Sequence, residues 1–150
     1  MNVLKSKWLA SALLAGAAIV TTGCDAKNSQ EDLRGLTDSM AEACPTHNVT
    51  RDDQLKCSER GKQHALTLAS YAPLDDKFKK ACTFTGLKGD LDKMAGAAPK
   101  DIVNHLVALN TSRQVSNCLA AVGRSTKDET VRATAYGIRD TMAATMMAKP

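Results

Sequence analysis

Five cysteines and three histidines hold most of the nucleophilic and metal-ligating capacity of this 150-residue chain. Cys24 stands behind Gly23 at the end of an apolar stretch, while Cys44, Cys57, Cys82 and Cys118 are scattered through the remainder. A zinc ribbon or a thioredoxin-like redox centre needs two thiols spaced to reach one ion or each other. No C-x-x-C pair occurs among these four. His47, His64 and His105 are the only imidazoles available to a metal site or a nucleophile–base pair. His47 lies in a polar turn sequence, His64 falls on one helical face with Cys57, Gly61, Leu68 and Tyr71, and His105 adjoins Leu106. These placements read as solvated or structural. No His-Glu-x-x-His, Gly-x-Ser-x-Gly or Walker sequence is present, and Gly86-Leu87-Lys88-Gly89 is too short for a phosphate loop. The sequence therefore assigns no catalytic residue, metal ligand or cofactor, and the chain reads as not an enzyme.

The acidic pairs Glu31-Asp32, Asp52-Asp53, Asp75-Asp76 and Asp128-Glu129 all fall where helices are expected to start. Carboxylates there are favoured by the helix dipole, which accounts for them without a cleft. Lys77, Lys79 and Lys80 form one small basic group, Arg60 and Lys62 another. Solvated surface is the plain reading; contact with anionic headgroups or an acidic protein partner is the functional one. No basic stripe of the kind nucleic acid needs is visible. Met142, Met146 and Met147 fit either a core or an adaptable partner-binding surface.

The N-terminus has three parts. Lys5 and Lys7 are followed by an apolar run from Trp8 to Val20, then by Thr21-Thr22-Gly23-Cys24. The run is shorter than the ~20 apolar residues a spanning helix needs, and the order basic, apolar, small is that of a secretory signal. The segment resembles a bacterial lipoprotein signal. The resemblance implies cleavage before Cys24, lipidation of its sulfur by diacylglycerol and of its new amino group by an acyl chain such as palmitate, and a membrane partner reached through that anchor. Asp25 occupies the position of an inner-membrane retention signal, so the resemblance implies the inner membrane, facing the periplasm, over the outer membrane. An uncleaved anchor, ordinary signal cleavage after a small residue such as Ala17 or Ala18, and a buried helix of a cytosolic protein are the competing readings. The expected organisation is a signal over 1–23, a short tether over 24–28 and a single domain over 29–150. Loss of Lys5 and Lys7 lowers the formal net charge from +4 to +2.

In an exported chain, four cysteines beyond the lipidated one imply two disulfides. The rest of the domain reads as helical, since no segment sustains two-residue alternation with β-branched residues. A first helix is expected over about 29–44, capped by Ser29, with Leu33, Leu36, Met40 and Cys44 on one face and Pro45 ending it. A second spans about 51–72, opened by a Thr50/Asp53 capping box. A third starts near Leu74, and Asp90 is placed to cap a further turn through Leu91, Met94 and Ala97. A fourth follows Pro99, with Ile102, Leu106 and Leu109 on one face and Val115, Cys118, Leu119 and Val122 on another stretch, a bend near Asn110–Ser112 and an αL cap at Gly123. A fifth covers about 126–147, starting from Ser125 and Asp128. The fold expected is all-α, a small disulfide-stapled bundle of four to six helices with mostly antiparallel neighbours.

Four cysteines allow three pairings. Residue 100 lies midway between Cys82 and Cys118, so two antiparallel segments joined at the Pro99 turn would bring these cysteines level. Cys44 and Cys57 flank the first helix–helix turn. The pairing 44–57 with 82–118 is preferred, and 57–82 with 44–118 stays open. For function, the leading expectation is a membrane-anchored, non-enzymatic protein-binding or inhibitory module of the cell envelope. By general architecture alone it is similar to immunity and entry-exclusion lipoproteins. An envelope structural or stress accessory and a small-molecule or lipid-binding bundle are the alternatives.

Overall fold

The computed structural model describes residues 22–86, 96 and 98–148, with side chains from residue 30 onward. Five helices are described: α1 (Thr22–Ala43), α2 (Arg51–Tyr71), α3 (Asp76–Ala81), α4 (Lys100–Ser125) and α5 (Glu129–Met147). The signal region before Thr22 and the turn expected over residues 90–97 fall largely outside the described residues. The start expected at Ser29 moves back to Thr22, so the stretch 24–28 is helical rather than a separate tether. No proline or glycine stands between Gly23 and Gly35 to interrupt the backbone ladder there.

Local chemistry explains most boundaries. In the Thr50 capping box, the Thr50 hydroxyl accepts from the Asp53 N–H at 3.1 Å, and the Asp53 carboxylate accepts from the Thr50 N–H at 3.0 Å. Two donors that helical geometry orphans are thereby satisfied. Asn48, at φ 52°, turns the chain between α1 and α2, a left-handed conformation that asparagine tolerates. Asp75 accepts from the Phe78 N–H at 2.9 Å to open α3. Pro99 precedes α4, where its missing N–H costs nothing. Asp128 accepts from the N–H groups of Thr130 and Val131 to open α5.

Helices adjacent in the chain run antiparallel. Arg60 donates to Ser39, and Cys57 is bonded to Cys44, which fixes α1 against α2. Beyond α3, the chain runs back along α4, with Thr85 opposite Gln114 and Cys82 bonded to Cys118. By contrast, α2 and α4 are parallel. Their levels match from Arg51–Asp101 (3.3 Å) through Gln54–His105 (2.9 Å) to Ala65–Cys118 (3.9 Å, carbonyl oxygen to sulfur). The crossover from Ala72 to Pro99 makes this possible. One end of the bundle thus gathers the start of α1, the ends of α2 and α4, α3, and the start of α5.

The core lies between α1, α2, α4 and α5. Leu68, Leu119, Ile138 and Met142 have no exposed surface, and burying each contributes roughly 1.5–3 kcal/mol. Both expected disulfides are present, with Cα–Cα distances of 4.8 Å for 44–57 and 4.5 Å for 82–118. Their sequence separations of 13 and 36 residues correspond to stabilisation of about 3 and about 4 kcal/mol in the chain-entropy account. Gln54 joins three helices. Its amide donates to the Thr145 and Met146 carbonyls at the end of α5 and accepts from His105 Nδ1, while the Thr145 hydroxyl donates to the Pro45 carbonyl.

Three expectations are corrected. Ile102 and Leu109 are 41% and 42% exposed; the inward line of that half of α4 runs instead through the small residue Ala108 to Val115, which lets the parallel helices approach closely. Asn110–Ser112 do not interrupt α4, which is continuous from Lys100 to Ser125. Gly123 is not an αL cap: no glycine among the described residues has positive φ, and α4 continues two residues past it. The Arg132 guanidinium donates to the Gly123 and Thr126 carbonyls at 3.0 and 2.8 Å, supplying partners that an αL turn would otherwise provide.

Gly123 has a different task. A Cβ there would stand 2.6 Å from Tyr136 Cζ, whereas a Cβ at Gly137 would meet nothing within 4 Å. Gly123→Ala is therefore expected to lower the urea midpoint, at a cost of about 1–3 kcal/mol from overpacking. Gly137→Ala should raise it by roughly 0.5–1 kcal/mol through helix propensity. Equal shifts of the same sign would contradict this packing.

Candidate functional site

Cys24 and Asp25 lie in the first turn of α1, on backbone that the structure describes and with side chains that it does not. The four other cysteines are consumed in the two disulfides. Cys44, Cys57 and Cys118 are buried, and Cys82 is half-buried against the core. No helix among the described residues is long and apolar enough to cross a membrane.

The structure keeps the histidines apart in role. His47 is exposed in the α1–α2 turn. His105 is held by Gln54 at 2.9 Å, and because Gln54 Nε2 faces two carbonyls, its Oε1 accepts and His105 Nδ1 carries the proton. His64 is buried on α2, and its Nε2 finds no partner. Among the described residues no three potential ligands gather as a metal-holding group. Three of the acidic pairs are engaged at helix starts: Asp53, Asp75 and Asp128 cap helices, Asp52 accepts from Asn104, Asp76 pairs with Lys79, and Glu129 pairs with Arg132, whereas Glu31-Asp32 lies inside α1 rather than at its start. The three methionines divide: Met142 is fully buried, Met146 packs against the core, and Met147 is 77% exposed.

Among the described residues, a groove of about 560 Å³ lies between α4 and the segment that follows α3. Lys80, Thr83 and Thr85 stand on one side, and Asn110, Arg113 and Arg124 on the other. Among the described residues its lining includes three cations and no carboxylate. Two interactions fix its walls. The Gln114 side-chain amide donates to the Thr85 carbonyl and accepts from the Thr85 N–H, both at 3.0 Å. The Arg124 guanidinium lies over the Phe78 ring, 5.7 Å from its centroid, a cation–π contact that holds a long side chain in place. Beneath them the Cys82–Cys118 bond ties the two walls covalently. A second groove, between α1 and α2, carries both signs, with Glu42 and Glu59 beside Lys56 and Arg60.

Sequence reasoning named Lys80 only as part of a basic cluster and did not single out Arg113 or Arg124. A partial signal existed: Asn110, Arg113, Asn117, Ala120 and Arg124 recur at three- and four-residue steps along one ridge of α4. Nothing local places Lys80 opposite that ridge, because the placement comes from the disulfide and the crossover.

No protein-family model matches this chain, and no curated protein or solved structure matches it either. The functional reading rests on the chain's own residues.

Burial, and then the Arg60 charge one turn away, hold the His64 imidazole below its ordinary value of 6.5. The unfolded chain takes up this proton near pH 6.5, the folded chain only at lower pH. Stability from this group is thus complete above that pH and falls as pH drops below it. The urea midpoint is expected to fall between pH 7.5 and pH 5, and His64→Leu should remove most of that fall. An equal fall in the variant would assign the pH dependence to other groups.

Proposed function

We propose that this chain is an exported lipoprotein of a bacterial cell envelope, held by lipid on Cys24, whose helical domain is a non-enzymatic protein-binding or inhibitory module. One observation carries the reading: all four cysteines beyond the N-terminal segment are paired in disulfides, which leaves Cys24 as the one cysteine outside both bonds. Disulfides persist in oxidising compartments, which agrees with the basic, apolar and small-residue order before Cys24. Two or three acyl chains on this residue would hold the domain at a membrane, because one chain alone is marginal and each buried CH₂ adds about 0.8 kcal/mol.

The geometry fits an anchored binder. From Cys24 to Leu33, the first buried residue of α1, the helix rises about 13 Å. The domain would then stand close to the bilayer, with the sides of the bundle open to partners. Asp25 directs the anchored chain to the inner membrane in this reading, and the groove lined by Lys80, Arg113 and Arg124 offers a charged contact surface.

Cells fed labelled palmitate should incorporate it into the wild-type chain and not into Cys24→Ser, whose domain should be released from membranes while keeping its helical circular dichroism. Membrane retention of Cys24→Ser, with no lipid mass on the wild type, would remove the anchor. Asp25→Ser is expected to shift the protein toward the outer-membrane fraction. Crosslinking in intact cells should capture a stoichiometric protein partner on the bundle, and the absence of any partner across growth conditions would count against the binding role.

A further inference from the structure

From the groove beside α4, we infer that the partner presents an extended, acidic polypeptide segment, seated between the Arg113–Arg124 ridge and Lys80. The inference rests on the protein-binding reading and names the chemistry of its partner.

Charge complementarity comes first. Among the described residues Lys80, Arg113 and Arg124 line the groove without a carboxylate, whereas the α1–α2 groove mixes signs. A guanidinium matches a carboxylate with two parallel hydrogen bonds. Length comes next. From Asn110 to Arg124 the ridge extends about 21 Å along α4, the reach of six or seven residues in extended conformation. Glutamates at alternate positions of such a segment project to one face about 7 Å apart.

The third point concerns the uncharged lining. Gln114 already holds a non-helical stretch of this chain: its amide satisfies both the N–H and the carbonyl of Thr85. Asn110 and Asn117, about one turn to either side, offer the same donor and acceptor toward the groove. Paired donors and acceptors suit a peptide backbone. A lipid phosphate accepts and does not donate, so half of that capacity would be idle against a headgroup. Orientation points the same way. The ridge runs along the bundle axis, and a bilayer at the α1 start would meet its Arg124 end rather than its length.

The test is fluorescence anisotropy with a fluorescein-labelled (Glu-Ser)4 peptide and the full chain in phosphatidylcholine nanodiscs at low ionic strength. Saturable binding is expected. Arg113→Glu with Arg124→Glu should weaken it at least tenfold, and Lys56→Glu with Lys100→Glu, which change net charge equally, should alter it less than twofold. Arg113→Gln with Arg124→Gln is the milder pair if charge reversal lowers the urea midpoint. Adding phosphatidylglycerol to the discs should leave peptide affinity unchanged. No binding, equal weakening by both reversal pairs, or displacement of the peptide by phosphatidylglycerol would overturn the inference, the last in favour of a headgroup site. If the chain does not enter the discs, the anchor fails and the same titration in solution still judges the groove. A partner captured equally by wild type and the Arg113/Arg124 pair, without peptide binding, overturns the groove and leaves the binding module standing.

Discussion

The close, parallel packing of α2 on α4 is the constraint from which the rest of this bundle follows. Two helices joined by a short turn cannot run parallel, so the chain must travel the length of the bundle between them. In the described part of that connection, α3 and the stretch to Gly86 run back along α4, and the Cys82–Cys118 bond pins them to it. At the opposite end, Gln54 bridges His105 and the final carbonyls of α5, so that one buried amide sets the level of three helices. Small residues permit the closeness: Gly61 lies against Met142 and Val115, and Ala108 takes the inward position that a leucine would crowd. Overpacked or cavity-forming changes on this seam would be felt throughout, because interiors are close-packed.

The same constraint builds the groove. Lys80 and Arg124 are separated by more than forty residues in sequence and come to one surface because the crossover returns antiparallel along α4. A disulfide under the groove, an amide lock at Gln114 and a ring beneath Arg124 reduce the freedom its side chains would lose on binding. Preorganisation of this kind raises affinity without enlarging the contact.

What was legible in the sequence was chiefly local or covalent. The Thr50/Asp53 capping box, the turn after Pro45 and the face through Leu33 and Met40 follow from neighbouring residues. The disulfide pairing was readable because the stretch through Cys82 and Thr85 lies antiparallel to α4, level with Cys118 and Gln114. The misreadings share a cause: distant chain decides the local outcome. Gly123 reads as a stop until Tyr136 is seen to need the space and Arg132 to satisfy the carbonyls. Ile102 and Leu109 carry a helical period, yet the fully buried residue of that half of α4 is Ala108. The cationic ridge was half visible, as spacing on α4, and its opposing lysine was not. Ser29 has the chemistry of a cap, yet the backbone ladder of α1 runs past it from Thr22.

The pairing of the four domain cysteines supports both the architecture and the argument that sets Cys24 apart. Peptide mapping of the unreduced protein by mass spectrometry, with free thiols blocked before digestion, tests it directly. The account predicts linked peptides joining Cys44 to Cys57 and Cys82 to Cys118, with no blocked thiol at any of the four. Linkage of Cys57 to Cys82, or a stoichiometric free thiol within the domain, would contradict it.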